Sequence, residues 1–442
     1  MVLARLLSRH KIDMATIEAR YHAEVQAGKA MLGVVPNAYP YMEIWPVGFS
    51  TYNVLIPNLV DFPQILWGLA RASRQHVGLM MYTASRAAGC MYCSAHSCTF
   101  ALRRGATSAQ VLAATEGGDA LDGASQAVVD VAEALGRMPS NLTDRERSAL
   151  RARLAPDVVE WLVLVAGMMG FLNKVMDALG VELEQAVVDE VSSLVQATGW
   201  SPGKHVVEGP SGRPAAPAHD SLAVKLSVVR HIPAAWMGDR RRTRGAPSSW
   251  PGAGEFLAAR TGYRFPTLGH LKQPRPLRAI TAALGMNLAA ENSILGLRAK
   301  HLAGLVFARH AGWDEMTRGS RAMLARLDGG SNVASPSRAE PGAVEEAVHT
   351  FAGQATDFES HESLGEAERT LARGARDDRS GWLTETEIHA LMLAKAAASS
   401  PASITPLVID RHAAQLPAPA IVELLVWLGM LQLLYRIDRF YR

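Results

Sequence analysis

Apolar residues recur along this chain mainly three and four positions apart, the spacing of one face of a helix, and β-branched alternation is scarce. Long stretches are rich in Ala, Leu, Arg and Glu, which favour helix. The pattern predicts an all-α protein. The longest apolar runs are 161–172 and 421–434, the second containing Glu423. Both are shorter than the ~20 apolar residues a membrane span needs, so they are expected to be buried core helices.

Helix breakers concentrate in three stretches, 199–217, 233–254 and 328–342. The first two are expected to flank a linker and the third to be a surface loop. The expected organisation is a first domain over 1–205, a Pro/Gly-rich linker over 206–254 and a second domain over 255–442. That division agrees with roughly 100–200 residues per domain.

The two halves echo each other. Leu142-Thr143-Asp144 opens a polar helix, a turn with Pro156 follows, and a strongly apolar helix then carries Glu160 near its start. Near the C-terminus, Ser403-Ile404-Thr405-Pro406, a turn with Pro417 and an apolar helix carrying Glu423 repeat that order. An acid in a first turn complements the helix dipole. The matching order reads as an old duplication.

Charge narrows the function classes. A net charge of +3 makes no case for nucleic acid, although the sequence pI is near 8.8. The basic run Arg240-Arg241-Arg242 with Arg244 lies among Pro and Gly and is expected to be a solvated loop. The first residues carry basic side chains but no apolar signal region. With three cysteines in 442 residues, a disulfide framework is not expected and the cytoplasm is the expected location.

Those cysteines are Cys90, Cys93 and Cys98, all in one short window with His96. A helix is expected to stop at Gly89 and a new one to run from near Cys90 to Gly105. Cys90 and Cys93 then share a face, and His96 follows Cys93 at i+3, where its imidazole can reach that sulfur. Cys98 points elsewhere. Between 62 and 115 there is no Asp or Glu, while Arg71, Arg74, Arg86, Arg103 and Arg104 all fall inside. A helix N-terminus and nearby cations both favour an acidic, reactive thiol. Two other readings stay open. Cys90, Cys93, His96 and Cys98 supply four potential zinc ligands, though one helix does not turn all of them to one point. The thiols could also be inert core residues.

The stretch Ala87-Ala88-Gly89-Cys90-Met91-Tyr92-Cys93-Ser94-Ala95-His96-Ser97 resembles the alkylhydroperoxidase D-like / carboxymuconolactone decarboxylase superfamily, in particular its peroxidase-related branch. Pro57-Asn58-Leu59, Phe171-Leu172-Asn173-Lys174 with Asp177, and Trp200-Ser201-Pro202-Gly203-Lys204-His205 extend the likeness over most of 30–205. The resemblance implies an all-α domain that associates through its helices into a homo-oligomer. It implies a redox-active dithiol without a bound cofactor or metal. Cys93 would attack a small hydroperoxide, Cys90 would resolve it to a disulfide, and His96 would relay the proton. A dithiol reductant would then restore the pair.

Two departures qualify the likeness. Many members carry the histidine four residues after the second cysteine, where this chain has Ser97. The family's relay glutamate, about a dozen residues before the first cysteine, is replaced by Gly78. His76 and Tyr82 are the nearest candidates to orient His96, with a distant acid or water as alternatives. In the second half, 291–312 with His301 is expected to match the thiol helix, without a cysteine. That half would supply the surface a single-domain relative gets from a second subunit. The alternative to a thiol-dependent hydroperoxide reductase is a redox sensor or scaffold that keeps the fold without turnover.

Overall fold

The computed structural model describes residues 2–209, 222–329, 343–373 and 383–442. Helix makes up 74% and strand 1%, so the class is all-α. Residues 210–217 and 330–342, in two of the breaker stretches, lie outside the described residues.

The elements that position the site are, in chain order, α1 (Met14–Leu32), α2 (Pro46–Leu59), α3 (Arg74–Ala87), α4 (Met91–Arg103), α5 (Gly123–Gly136), α6 (Pro156–Leu179), β1 (Leu183–Glu184), β2 (Val207–Glu208), α7 (Ile232–Arg242), α8 (Pro274–Asn287), α9 (Leu297–Ala311), α10 (Asp314–Gly329), α11 (Glu385–Ala398) and α12 (Ala418–Tyr441). Local chemistry sets several ends. Ser73 accepts a hydrogen bond from His76 N at the start of α3, and Thr384 with Glu387 forms a capping box on α11. β1 and β2 pair in parallel, Leu183 opposite Val207.

The core is built on α6 crossing α12. Both are 24 residues long and apolar enough to cross a membrane, so the length argument made on the shorter runs does not hold. They are core helices by burial instead, with 89% and 94% of their apolar windows inside the structure. A helix apolar all round belongs in such a place. Small residues let the two backbones meet. A β-carbon on Gly170 would stand 2.9 Å from Gln432 O, and one on Gly429 would stand 2.9 Å from the Phe171 and Val175 side chains. Any larger residue would push the axes apart.

Further contacts tie the N-terminal and C-terminal parts. Asn287 Nδ2 on α8 donates to Thr51 Oγ1 on α2 at 2.8 Å, and Arg275 Nε donates to Asn58 Oδ1 at 2.6 Å. Lys174 on α6 is buried and donates to the carbonyls of Ala397, Ala398 and Ser399 at 2.7, 2.9 and 2.5 Å. A cation there satisfies the free carbonyls at the C-terminus of α11. Asp177 accepts from Ala402 N at 2.7 Å and pairs with Lys204 at 3.0 Å.

The stretch read as linker contains a helix, Leu222–Val229, and then α7, whose first turn carries Pro233. Both pack against α1. The basic run read as a solvated loop is in fact the last turn of α7, where cations suit the helix end. Arg240 and Arg241 are exposed, and Arg242 pairs with Glu24 at 2.8 Å.

Candidate functional site

The site is made where α3 hands over to α4. Gly89, at φ +70°, makes the turn, and Cys90 N donates to Ser85 O. A β-carbon on Gly89 would also stand 2.8 Å from the Pro401 ring, so the C-terminal part closes directly over this turn. Cys90 takes the N-cap position of α4, and its Sγ accepts from Cys93 N at 3.3 Å. The two cysteines approach to 2.9 Å and both are free thiols. Cys90 is fully buried, whereas Cys93 lines a cavity of about 40 Å³ together with His96, Tyr52, Tyr92 and Met176. The thiol available to a small molecule is therefore Cys93.

His96 is held by a residue far along the chain. Its Nε2 lies 2.8 Å from Glu184 Oε2. Glu184 Oε1 also accepts from Tyr92 OH at 3.0 Å and from Asn37 N at 2.5 Å. Burial pushes the Glu184 carboxyl up, but the adjacent His96 and its hydrogen bonds outweigh this and hold it below the usual range. A carboxylate can only accept, so His96 Nε2 carries a proton. Nδ1, buried and without a protein partner, is left as the basic nitrogen. The Tyr92 and His96 rings pack with centroids 4.5 Å apart, which fixes the imidazole plane.

The expectation of an acidic thiol is not met. Burial pushes the Cys93 thiol well above the usual range, the hydrogen bond and charge of Cys90 add to this, and Arg436 opposes it. The arginines near the window in sequence serve elsewhere. Arg86 donates to Thr198 O, Arg103 pairs with Glu190, and Arg104 donates to Met31 O. The arginine whose charge acts on both thiols comes from α12. Arg436 is fully buried, donates to Ala166 O and Gly136 O at 3.1 and 3.3 Å, and is pushed down to about 10 by burial.

The remaining candidates are not brought together. Cys98 does not line the thiol cavity, and burial pushes its thiol up to about 12. His76 Nε2 meets Ser125 Oγ at 3.4 Å, and neither His76 nor Tyr82 lines the cavity. Among the described residues no group of three or more His, Cys, Asp or Glu is arranged to hold a metal ion, so the four potential zinc ligands are not assembled.

Gly78 has a steric reason. A β-carbon there would stand 2.6 Å from Ala101 Cα on α4, so the close α3–α4 contact excludes any side chain. Sequence reasoning missed Glu184, Tyr92 and Arg436. For Glu184 no local signal exists: the alternation Val181-Glu182-Leu183-Glu184 has the period of a strand that buries Val181 and Leu183 and would leave Glu184 exposed, whereas both strand residues are buried. No family model, no curated protein and no solved structure matches the chain.

Proposed function

We propose that this chain is a thiol-dependent hydroperoxide reductase or a related disulfide oxidoreductase, acting in the cytoplasm, and that 30–205 belong to the alkylhydroperoxidase D-like superfamily. The observation that carries this reading is the cavity-lining Cys93 with Cys90 at 2.9 Å and His96 fixed by Glu184. Cys93 gives its proton to His96 Nδ1 through one intervening water, since the two make no direct hydrogen bond, and the thiolate attacks the outer peroxide oxygen. The S–O bond forms, the O–O bond breaks, and the leaving alkoxide takes the proton from His96 to depart as an alcohol. Cys90 then attacks the Cys93 sulfenic acid, water leaves, and the disulfide forms. A dithiol reductant returns two electrons by exchange. Arg436 stabilises the thiolate that burial disfavours.

The test is peroxide consumption by the full chain with a dithiol reductant. Cys93→Ser should abolish it, and Cys90→Ser should stop turnover after one equivalent of sulfenic acid. Unchanged consumption in both variants overturns the reading. The raised, buried Cys93 thiol favours a second reading, a scaffold that keeps the fold without turnover and whose thiols react little.

The C-terminal half fits a degenerate second copy. Arg309-His310-Ala311-Gly312-Trp313 follows the pattern of Arg86-Ala87-Ala88-Gly89-Cys90, and Gly312 shares the left-handed φ of Gly89 at 62°. On that alignment α10 rather than 291–312 corresponds to the thiol helix, with Trp313 and Met316 in place of Cys90 and Cys93. The second copy then keeps the scaffold, contributes Arg436 and Pro401 to the first site, and has no dithiol of its own.

A further inference from the structure

A second cavity of about 130 Å³, larger than the thiol cavity, lies beside it. The two share Leu32, Tyr52, Met81 and Leu172 as walls, so those side chains are all that stands between the chambers. The second cavity has room for several methylene-sized groups in a row. Its walls are mostly carbon, from Met31, Ile56, Phe62, Phe100 and Met168. It is also lined by Ile232, Ala235 and Trp236 of α7 and by Arg275 of α8, segments outside 30–205.

Charged groups at the rim answer one another. Arg242 meets Glu24 at 2.8 Å, Asp239 Oδ1 accepts from Asn58 Nδ2 at 2.7 Å, and Arg275 donates to Asn58 Oδ1 and Phe62 O, both at 2.6 Å. Two cations, Arg242 and Arg275, and two anions, Glu24 and Asp239, thus line the cavity in balance, and Arg275 also faces Asp61 at 3.6 Å, so an ionised head finds no excess of opposite charge and its burial would be costly. An uncharged aliphatic chain suits these walls, since burying its methylenes away from water is favourable.

We infer that the two cavities form one substrate site, in which α7 and Arg275 complete a tail chamber that selects hydroperoxides with a long, uncharged aliphatic chain. This rests on the hydroperoxide reading of the thiol site. The hydroperoxy group lies at Cys93, the chain passes Leu32, Tyr52, Met81 and Leu172, and the tail ends beneath α7. The redox step is the one given above, with a long-chain alcohol leaving.

The test compares dodecyl hydroperoxide with tert-butyl hydroperoxide on the full chain, and measures displacement of the neutral dye Nile red by dodecanol. The expected result is a kcat/KM ratio of about tenfold or more in favour of the dodecyl compound. Ala235→Trp and, separately, Ala27→Phe put bulk into the tail chamber from two different helices. Each should lower that ratio about tenfold and weaken dodecanol displacement to a similar degree. A wild-type ratio near one, or ratios and dodecanol affinity unmoved in both variants, overturns the inference while leaving the redox reading intact. If neither peroxide turns over, the redox reading falls, and dodecanol binding to the wild type and both variants alone decides the chamber.

Discussion

His96 Nε2 and Glu184 Oε2 stand 2.8 Å apart across 88 residues of chain. The carboxylate that orients the imidazole thus comes from the two-residue strand after α6 rather than from the helix before the thiols. Glu184→Gln keeps the shape but removes the charge that stabilises a protonated His96. Peroxide kcat/KM should fall about 10²-fold, in the range typical of general acid–base loss. The pH dependence of kcat/KM should change as well, since the carboxylate partner of His96 is gone. Tyr92→Phe removes only one hydrogen bond to Glu184 and should cost less. A Glu184→Gln enzyme with an unchanged rate and profile would remove Glu184 from the relay.

Much of this arrangement was legible from residue order, and the limits are physical. The helix boundary at Gly89, the shared face of Cys90 and Cys93 and the separation of Cys98 all follow from helical periodicity, because they are local. The partners of His96 and of the thiols are not local. Arginines close in sequence to Cys93 turn to Glu190, Thr198 O and Met31 O, while the arginine that reaches the site is Arg436. Burial could not be read from charge spacing either, and burial dominates the Cys93 thiol.

Gly78 is under steric rather than chemical constraint. Gly78→Ala should destabilise the fold by about 1–3 kcal/mol through overpacking against Ala101. Gly78→Glu should be worse, burying a carboxylate as well, and should not raise peroxide turnover. Urea denaturation with a shifted midpoint and constant slope checks this. Stability equal to the wild type in both variants would show that the α3–α4 contact is loose.

Cys93 should alkylate slowly at neutral pH. Its thiol is held well above the ordinary value of ~8.5 by burial and by Cys90. The rate with iodoacetamide should keep rising with pH beyond the point where an exposed thiol levels off, since the thiolate is the nucleophile. Arg436→Leu removes the cation that opposes this shift and should slow alkylation further at each pH. Fast, pH-independent labelling near neutrality would contradict the buried-thiol geometry.

His301 should make the fold acid-sensitive. Burial, with Lys300 beside it, pushes this imidazole down to about 3 from an ordinary value of ~6.5. In acid the unfolded chain therefore takes up the proton first. The stability that neutral His301 contributes is complete above ~6.5 and is lost as pH falls from there toward 3. Over that window His301→Phe should lose less stability than the wild type, by a few kcal/mol near pH 4. The comparison cancels the similar effect of His310 and His412, both pushed down to about 4. Parallel stability curves for the two proteins would show that His301 is protonated as readily in the folded state.

Lys174 links the core to the thiol turn, and its removal should be felt at Cys90 and Cys93. Its ammonium satisfies three carbonyls at the end of α11 and reaches Ser400 Oγ at 3.3 Å. The next residue, Pro401, is the one that packs on Gly89. Lys174→Met fits the same channel but leaves those carbonyls without a donor, a loss of about 2–4 kcal/mol after partial relaxation. The 399–402 turn would still be held by Asp177 through Ala402 N, so loosening rather than unfolding is expected. Looser closure over Gly89 should admit water to the dithiol and lower the burial that raises the Cys93 thiol. The variant should therefore be less stable to urea yet alkylate faster at neutral pH. Those opposite signs separate a role for Lys174 in closing the site from a role in stability alone, which would leave the alkylation rate of the folded protein unchanged.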